Sequence, residues 1–350
     1  PGEVAITVAW SGINYKDALA ATGAGRILKR FPLTVGIDLA GRVRASADAR
    51  FAPGQAVAVV GCGIGEEIDG GFAEQAVVPG DMIVALPEGL SLRDAMAIGT
   101  AGFTAAMGIQ RLEDNGLAPG QGPVLVNGAS GGVGSLAVNM LAGRGYEVSA
   151  VSAKASSTDW LRGLGASEVL PSSSIDPKCR PLEKARWAAA IDNLGGDMLA
   201  WLCATMQPLA SIASIGLAAS PNLNTTVMPF ILRGINLLPP GIAGTRLGAP
   251  GERLAACRAG PHRVAGTAAD GPGRRLRRLP SGARAGAHAG AHARRRRWLN
   301  PGGPRRGCGQ GFGPAPCVMG CRYSAPSAGR RDPLPAFPTP RISGRRPWIA

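Results

Sequence analysis

The run Val124-Leu-Val-Asn-Gly-Ala-Ser-Gly-Gly-Val-Gly134, continued by Ser135-Leu-Ala-Val-Asn-Met-Leu-Ala-Gly143, decides how this chain folds. Apolar, β-favouring residues lead straight into a glycine turn, and an apolar helical pattern rich in small residues follows at once. Gly131, Gly132 and Gly134, with Val133 between them, let the backbone turn tightly, approach a diphosphate and pack the new helix against the strand. The helix N-terminus offers unpaired N–H groups and the positive end of its dipole to phosphates. A glycine pattern alone is weak. With a strand before it and a helix after it, this one reads as a dinucleotide-binding turn rather than an ordinary βα loop.

The next strand, Glu147-Val-Ser-Ala-Val-Ser152, bears on which dinucleotide. NAD sites place an Asp or Glu near the end of this strand to hold the ribose 2′-hydroxyl. Here Ser152-Ala153-Lys154 stands instead, with no carboxylate before Asp159. A hydroxyl and an ammonium suit a 2′-phosphate, which a carboxylate would repel. The pattern favours NADP(H), against the plainer possibility that Lys154 is a solvated loop lysine.

Charge divides the chain in two. Residues 1–243 carry 17 Lys plus Arg against 20 Asp plus Glu, a net of −3, while 244–350 carry 21 against 3, a net of +18. Every lysine lies in the first part, and all three histidines (His262, His288, His292) lie in the second. The second part is Arg, Gly, Pro and Ala, with clusters such as Arg294–Arg297 and no sustained period of 2 or 3.6. Such a stretch buries too little apolar surface to offset its ordering entropy, so disorder is expected across 244–350.

Residues 1–10 alternate like a strand and lack the basic start of a secretory signal. The chain begins mid-pattern without Met and reads as truncated. The apolar region Leu199–Ala219 is broken by Gln207-Pro208 and reads as a helix and then a strand, not a membrane span. Seven scattered cysteines make no disulfide framework and point to a reducing compartment, hence a cytoplasmic protein.

In the body, residues 3–10 predict a strand, and Asn14 can cap a helix from Tyr15 to about Thr22. Pro32–Val43, Gln55–Val60, Gly70–Val78 and Ile83–Leu86 predict further short strands, and Ser91–Gly108 a helix. From Gly122 strands and helices alternate, with parallel strands expected at 123–127, 147–152, 167–170, 187–192, 209–215 and 235–239. The fold class is therefore α/β: a β-rich domain (1–118), a doubly wound parallel sheet binding the nucleotide (119–243), then the basic tail.

These pieces resemble the zinc-independent medium-chain dehydrogenases/reductases, and within them the branch of NADPH-dependent acryloyl-CoA reductases and quinone oxidoreductases. The resemblance rests on Gly12-Ile-Asn-Tyr-Lys-Asp-Ala18, Gly36-Ile-Asp-Leu-Ala-Gly41, Gly70-Gly-Phe-Ala-Glu-Gln75 and Ile98-Gly-Thr-Ala-Gly-Phe-Thr-Ala105. The glycine turn, Arg180-Pro-Leu-Glu-Lys184 and Thr225-Thr-Val-Met-Pro-Phe-Ile-Leu-Arg233 complete it. It runs from residue 1 to about 243 and then stops. It implies a GroES-like domain packed on a Rossmann domain, with hydride transfer from NADPH to the β-carbon of an activated alkene in the cleft between them. It further implies that Gly131–Gly134 hold the diphosphate, and Ser152 and Lys154 the 2′-phosphate. Asn193 and Leu217 would line the ribose–nicotinamide side, and Tyr15 and Thr100 would face the cleft. A homodimer through the sheet edge near 235–239 is also implied.

Residues 1–243 contain no histidine, which removes the commonest zinc ligand and the commonest general base together. Cys62 has no second cysteine nearby, so no metal is expected. Tyr15 is the candidate proton donor or relay and Asn14 the candidate amide donor. The plainer alternatives make Asn14 a helix cap, Tyr15 a wall residue and Lys16/Asp17 a surface pair, with Asp38 and Glu74 as structural hydrogen-bond partners. Three functions compete: an NADPH-dependent enoyl-CoA reductase, a quinone or enone oxidoreductase of the same fold, and a non-specific nucleic-acid binder acting through the arginine tail. The tail's widely spaced aromatics argue against the third. An out-of-frame translation of a G- and C-rich gene accounts for the tail better, because those codons encode Arg, Ala, Gly and Pro.

Overall fold

The structure, a computed structural model, describes residues 2–176, 178–239 and the strand Leu276–Arg278. Alternating residues build β1 (Glu3–Gly12), which buries Val4, Ile6 and Val8 on one face. One edge of β1 pairs antiparallel with β2 (Asp38–Ser46), and the other pairs with β4 (Gln75–Pro79). The sheet continues through β3 (Ala56–Val60) to β5 (Val84–Ala85). Val4, Ile6, Leu39, Val57, Val59 and Val78 close its core. The end of β1 also pairs with β12 (Leu276–Arg278), a strand inside the stretch expected to be disordered. The remainder of 244–350, with most of that expectation, lies outside the described residues.

Two expected strands start late, for one shared reason. Pro32–Val43 becomes strand only at Asp38, and Gly70–Val78 only at Gln75. In the gap the two segments pair with each other: Gly70, Gly71 and Phe72 donate to the carbonyls of Thr34, Gly36 and Val35. Carboxylates take two more N–H groups, Thr34 giving its own to Asp69 and Ile37 to Asp17, each at 2.9 Å. Loop partners satisfy the backbone that the sheet leaves unpaired.

Helix α1 (Tyr15–Thr22) has the expected bounds, with Asn14 at its N-cap and Gly23 ending it in left-handed backbone. Helix α2 (Leu92–Asp114) begins where Ser91 caps it, its hydroxyl accepting from the Asp94 N–H at 3.1 Å. It runs six residues past the expected end and is broken at Gly99, where φ is 44° and ψ is −158°. Only glycine adopts that backbone at small cost. The break lets one helix serve two layers. Ala95 and Met96 pack on Ala40 and Ala58 of the antiparallel sheet. Ala101, Ala105, Ile109 and Leu112 join the core of the second sheet.

The second sheet is parallel and carries the order β11-β10-β9-β6-β7-β8. Its elements are β6 (Val124–Val126), α3 (Gly132–Gly143), β7 (Val148–Ser152), α4 (Thr158–Gly163), β8 (Glu168–Pro171) and β9 (Trp187–Asp192). There follow α5 (Gly196–Thr205), β10 (Met206–Ser214), α6 (Met228–Arg233) and β11 (Asn236–Leu238). Val124 and Val126 face one core and Leu125 the opposite one, so β6 is buried on both faces. Strand order reverses between β6 and β9, the point where doubly wound sheets open a ligand crevice at their carboxyl ends. Among the described residues, no helix is long and apolar enough to cross a membrane.

Strand β10 starts three residues earlier than expected. Met206 pairs with Trp187, then the ladder slips until Ser211 meets Ala189. Within the slip Leu209 is held at φ 64° with 75% of its surface exposed. A left-handed leucine costs about 1–2 kcal/mol, and its exposed side chain gives little back. Leu209→Gly is expected to raise stability by about 1 kcal/mol in denaturant unfolding. Equal or lower stability would show that the leucine is not strained.

Candidate active site and nucleotide cleft

The glycine turn is built from close backbone approaches. Gly131 donates its N–H to the Gly128 carbonyl at 2.9 Å, and Ala129 donates to the Val151 carbonyl at 3.0 Å, which ties the turn to β7. Gly131 is the N-cap of α3 and is exposed, Gly132 and Val133 open the helix half-buried, and Gly134 is buried. A Cβ on Gly134 would collide with the Gly128 carbonyl oxygen and stand 2.7 Å from the Ala129 Cα. The third glycine is thus required for contact, as expected of a turn that sets a helix tightly on its strand.

Beside it, at the reversal of strand order, the ends of β6 and β9 share a polar cluster in which Asn193 was expected and Asn127 and Asp192 were missed. Asn127 donates to Asp192 at 2.6 Å and accepts the Asn193 backbone N–H at 2.6 Å, while the Asn193 amide donates to the Asn127 carbonyl at 2.7 Å. Asp192, fully buried, also accepts from Leu194, Gly195 and Ser214. Burial raises its carboxyl above the usual carboxylate range, and these donors oppose the rise. The signal was present in sequence: a polar residue ends each of two otherwise apolar strands. The cluster leaves one acceptor over, because Asn193 Oδ1 is buried with no partner among the described residues. A cavity of about 230 Å³ opens alongside, lined by Gly195, Ser214, Ile215, Gly216, Leu217 and Asn222 among others. Leu217 is 60% exposed there.

Ser152 ends β7 with its hydroxyl engaged on three sides: the Ser130 hydroxyl at 3.1 Å, the Ser157 hydroxyl at 3.0 Å and the Lys154 N–H at 3.1 Å. Lys154 is exposed, and Ser152 is buried. The expected pair is brought to the glycine turn, with the lysine open to solvent and the serine turned inward.

A second polar group forms where α1, β2 and the α2 break meet. Asp38, fully buried, accepts the Asn14 amide at 2.8 Å, the Thr100 N–H at 2.9 Å and the Thr100 hydroxyl at 2.5 Å. Asp38 is therefore the structural hydrogen-bond partner its position suggested. Thr100 spends its only hydroxyl proton on Asp38, so toward any other partner it can act only as an acceptor. Asn14 keeps one N–H of its amide for another partner. Tyr15, next to it, is 62% exposed.

Lys16 and Asp17 do not form the expected surface pair. Lys16 reaches Glu66 at 2.8 Å, while Asp17 turns inward and accepts the N–H groups of Asn14 and Ile37. The direction of α1 explains the difference: its cap draws Asp17 back onto Asn14 and onto the buried start of β2. Burial raises the Asp17 carboxyl above its ordinary value of 3.8, and the two donors oppose the rise. A carboxyl raised on folding favours the native state while protonated and loses that advantage as pH climbs through its folded value. Wild-type stability relative to Asp17→Asn is therefore expected to fall as pH rises above 3.8. Parallel stability curves for the two proteins would contradict this.

Residues 1–88 match the family described as the alcohol dehydrogenase GroES-like domain. The acrylyl-CoA reductase AcuI of Ruegeria pomeroyi is 48% identical over 238 residues, which cover 68% of this chain and 72% of AcuI. This chain belongs to the medium-chain dehydrogenase/reductase family. Its similarity lies with the acrylyl-CoA reductase and quinone oxidoreductase branch. YhfP of Bacillus subtilis, provisionally named a quinone oxidoreductase, is 49% identical over 236 residues, covering 67% of this chain and 72% of YhfP. The crystal structure of the YhdH oxidoreductase of Salmonella enterica in complex with NADP matches with a TM-score of 0.74 and 44% identity. It covers 79% of this chain and 91% of its own. The two-sheet architecture with a glycine turn at the start of α3 is the fold of this family.

Proposed function

We propose that this medium-chain dehydrogenase/reductase reduces the C=C bond of an α,β-unsaturated acyl-CoA, acryloyl-CoA to propanoyl-CoA, with NADPH. In this reading residues 1–118 form the catalytic domain and 119–243 the cofactor domain. The cofactor fits two features of the site. Gly134 leaves the α3 N-terminus close enough to its strand to meet a diphosphate, and the orphaned Asn193 Oδ1 needs a donor such as a ribose hydroxyl. Gly131 to Gly134 would hold the diphosphate, Lys154 the 2′-phosphate, and Asn193, Leu217 and Thr100 the ribose and nicotinamide. When bound, NADPH supplies the hydride that reduction of the alkene requires.

The chain's own residues supply orientation and a proton. The exposed Tyr15 hydroxyl is the donor for the α-carbon or its relay. Asn14, fixed by Asp38, offers its second amide N–H to the thioester oxygen. The observation that carries the NADPH half is the absence of a carboxylate after β7, where Ser152 and Lys154 stand instead. The substrate half is supported by the similarity to AcuI.

A second reading, reduction of quinones or simple enones, is favoured by the comparable similarity to YhfP. Steady-state assays with acryloyl-CoA, its short thioester without the CoA nucleotide, and a quinone separate the two. The proposal expects the highest kcat/KM with the CoA thioester; equal or better turnover of the quinone would overturn the substrate assignment.

We also propose a cytoplasmic homodimer paired through β11, an edge strand of the parallel sheet among the described residues. The arginine-rich sequence after 243 we assign to out-of-frame translation. Reading the other two frames downstream of that codon is expected to restore a globular sequence, and stops in both would end the idea.

A further inference from the structure

We infer that Ser157, a fully buried residue, is a positioning residue that sets the preference for a 2′-phosphorylated nucleotide, by locking the Lys154 loop onto the glycine turn; this rests on the NADPH reading above. Ser157 touches Lys154 through the main chain twice: its hydroxyl donates to the Lys154 carbonyl at 2.6 Å and its N–H to the same carbonyl at 3.0 Å. Its hydroxyl also meets the Ser152 hydroxyl at 3.0 Å, and Ser152 accepts the Lys154 N–H at 3.1 Å. Both polar groups of the Lys154 backbone are thus held by two buried serines. The second serine reaches Ser130, inside the glycine turn, at 3.1 Å.

Proton counting shows how the chain of hydroxyls runs. Ser157 has one hydroxyl proton and gives it to the Lys154 carbonyl, so in the 3.0 Å contact Ser152 is the donor. The Ser152 hydroxyl is also placed to donate to Ser130 at 3.1 Å, and its single proton serves one of these two contacts at a time. When Ser152 gives its proton to Ser130, its contact with Ser157 is lost. The two arrangements couple the turn that would hold the diphosphate to the loop that would meet the 2′-phosphate. Neither Ser152 nor Ser157 is free to face a ligand. Their work is to hold Lys154 in place, a task that matters only to a nucleotide carrying the extra phosphate.

The test compares binding of 2′,5′-ADP and 5′-ADP, by calorimetry, to the full chain. Ser157→Ala is expected to weaken 2′,5′-ADP about tenfold, the size of one lost hydrogen bond in a buried network, while 5′-ADP changes less than about twofold. In a Lys154→Ala background the same change is expected to leave both affinities where Lys154→Ala alone puts them. Equal weakening of both ligands, or an undiminished effect without Lys154, would overturn the assignment. Should Ser157→Ala unfold, Ser152→Ala breaks the same chain and is read with the same ligand pair. A wild-type protein that binds the two ligands equally would overturn the NADPH reading itself, and this inference with it.

Discussion

Gly134→Ala is expected to cost about 3 kcal/mol of stability and to weaken NADPH binding roughly a hundredfold, the largest single effect in the nucleotide domain. Overpacking usually costs about 1–3 kcal/mol because side chains move aside. Here the obstacles are the Gly128 carbonyl and the Ala129 Cα, which are backbone and cannot rotate away. The same backbone carries the Gly131 and Ala129 hydrogen bonds that shape the turn, so relief of the clash would open it. Stability and cofactor affinity must fall together. Denaturant unfolding and NADPH fluorescence titration check both. A variant within about half a kcal/mol of wild type with unchanged affinity would show that the turn is not the nucleotide cradle.

Asp38→Ala is expected to destabilise by about 3 kcal/mol and to lower kcat/KM by at least about tenfold. Removing the carboxylate strands three donors from two segments: the Asn14 amide, the Thr100 N–H and the Thr100 hydroxyl. The hydroxyl can rotate and the amide can find water, but the N–H at the helix break is fixed by the backbone and cannot turn to a new acceptor. An unsatisfied buried donor costs about 1–3 kcal/mol. Asn14 then loses the contact that fixes it, and Tyr15 beside it loses its setting. Asp38→Asn keeps the shape but turns an amide N–H toward donors, so it should fall between wild type and alanine. Full activity in Asp38→Ala would remove Asn14 and Tyr15 from the catalytic account.

Much of the parallel sheet was legible because its central strands are buried on both faces. Trp187–Asp192 was placed to the residue, and the other five within a few, since short continuous apolar runs leave little choice. Helix α1 was legible from its cap. What escaped depended on partners far away in sequence. The loop pairing of Thr34–Gly36 with Gly70–Phe72 carries no local signature, because both segments are extended and differ from strand only in whom they bond. The break at Gly99 hid inside an otherwise helical pattern.

In the proposed site, the glycines and Lys154 follow from the sequence because a phosphate would dictate their types. Asp192 and Asn127 do not. They hold Asn193 and the turn after β9, and although a polar residue ending each apolar strand was visible, nothing local tells a buried strand-end carboxylate from an exposed one. Asp17 was misplaced for the same reason. Its neighbour Lys16 is half-buried, and only the tertiary fold reveals that the carboxylate faces Ile37.

The most direct measurement is isotopic. Turnover of acryloyl-CoA with NADPH deuterated at the transferable position, in ordinary water, is expected to yield propanoyl-CoA carrying one deuterium at the β-carbon and a solvent proton at the α-carbon. Propanoyl-CoA without the label, or consumption of NADPH with acryloyl-CoA left intact, would contradict hydride transfer to the activated alkene.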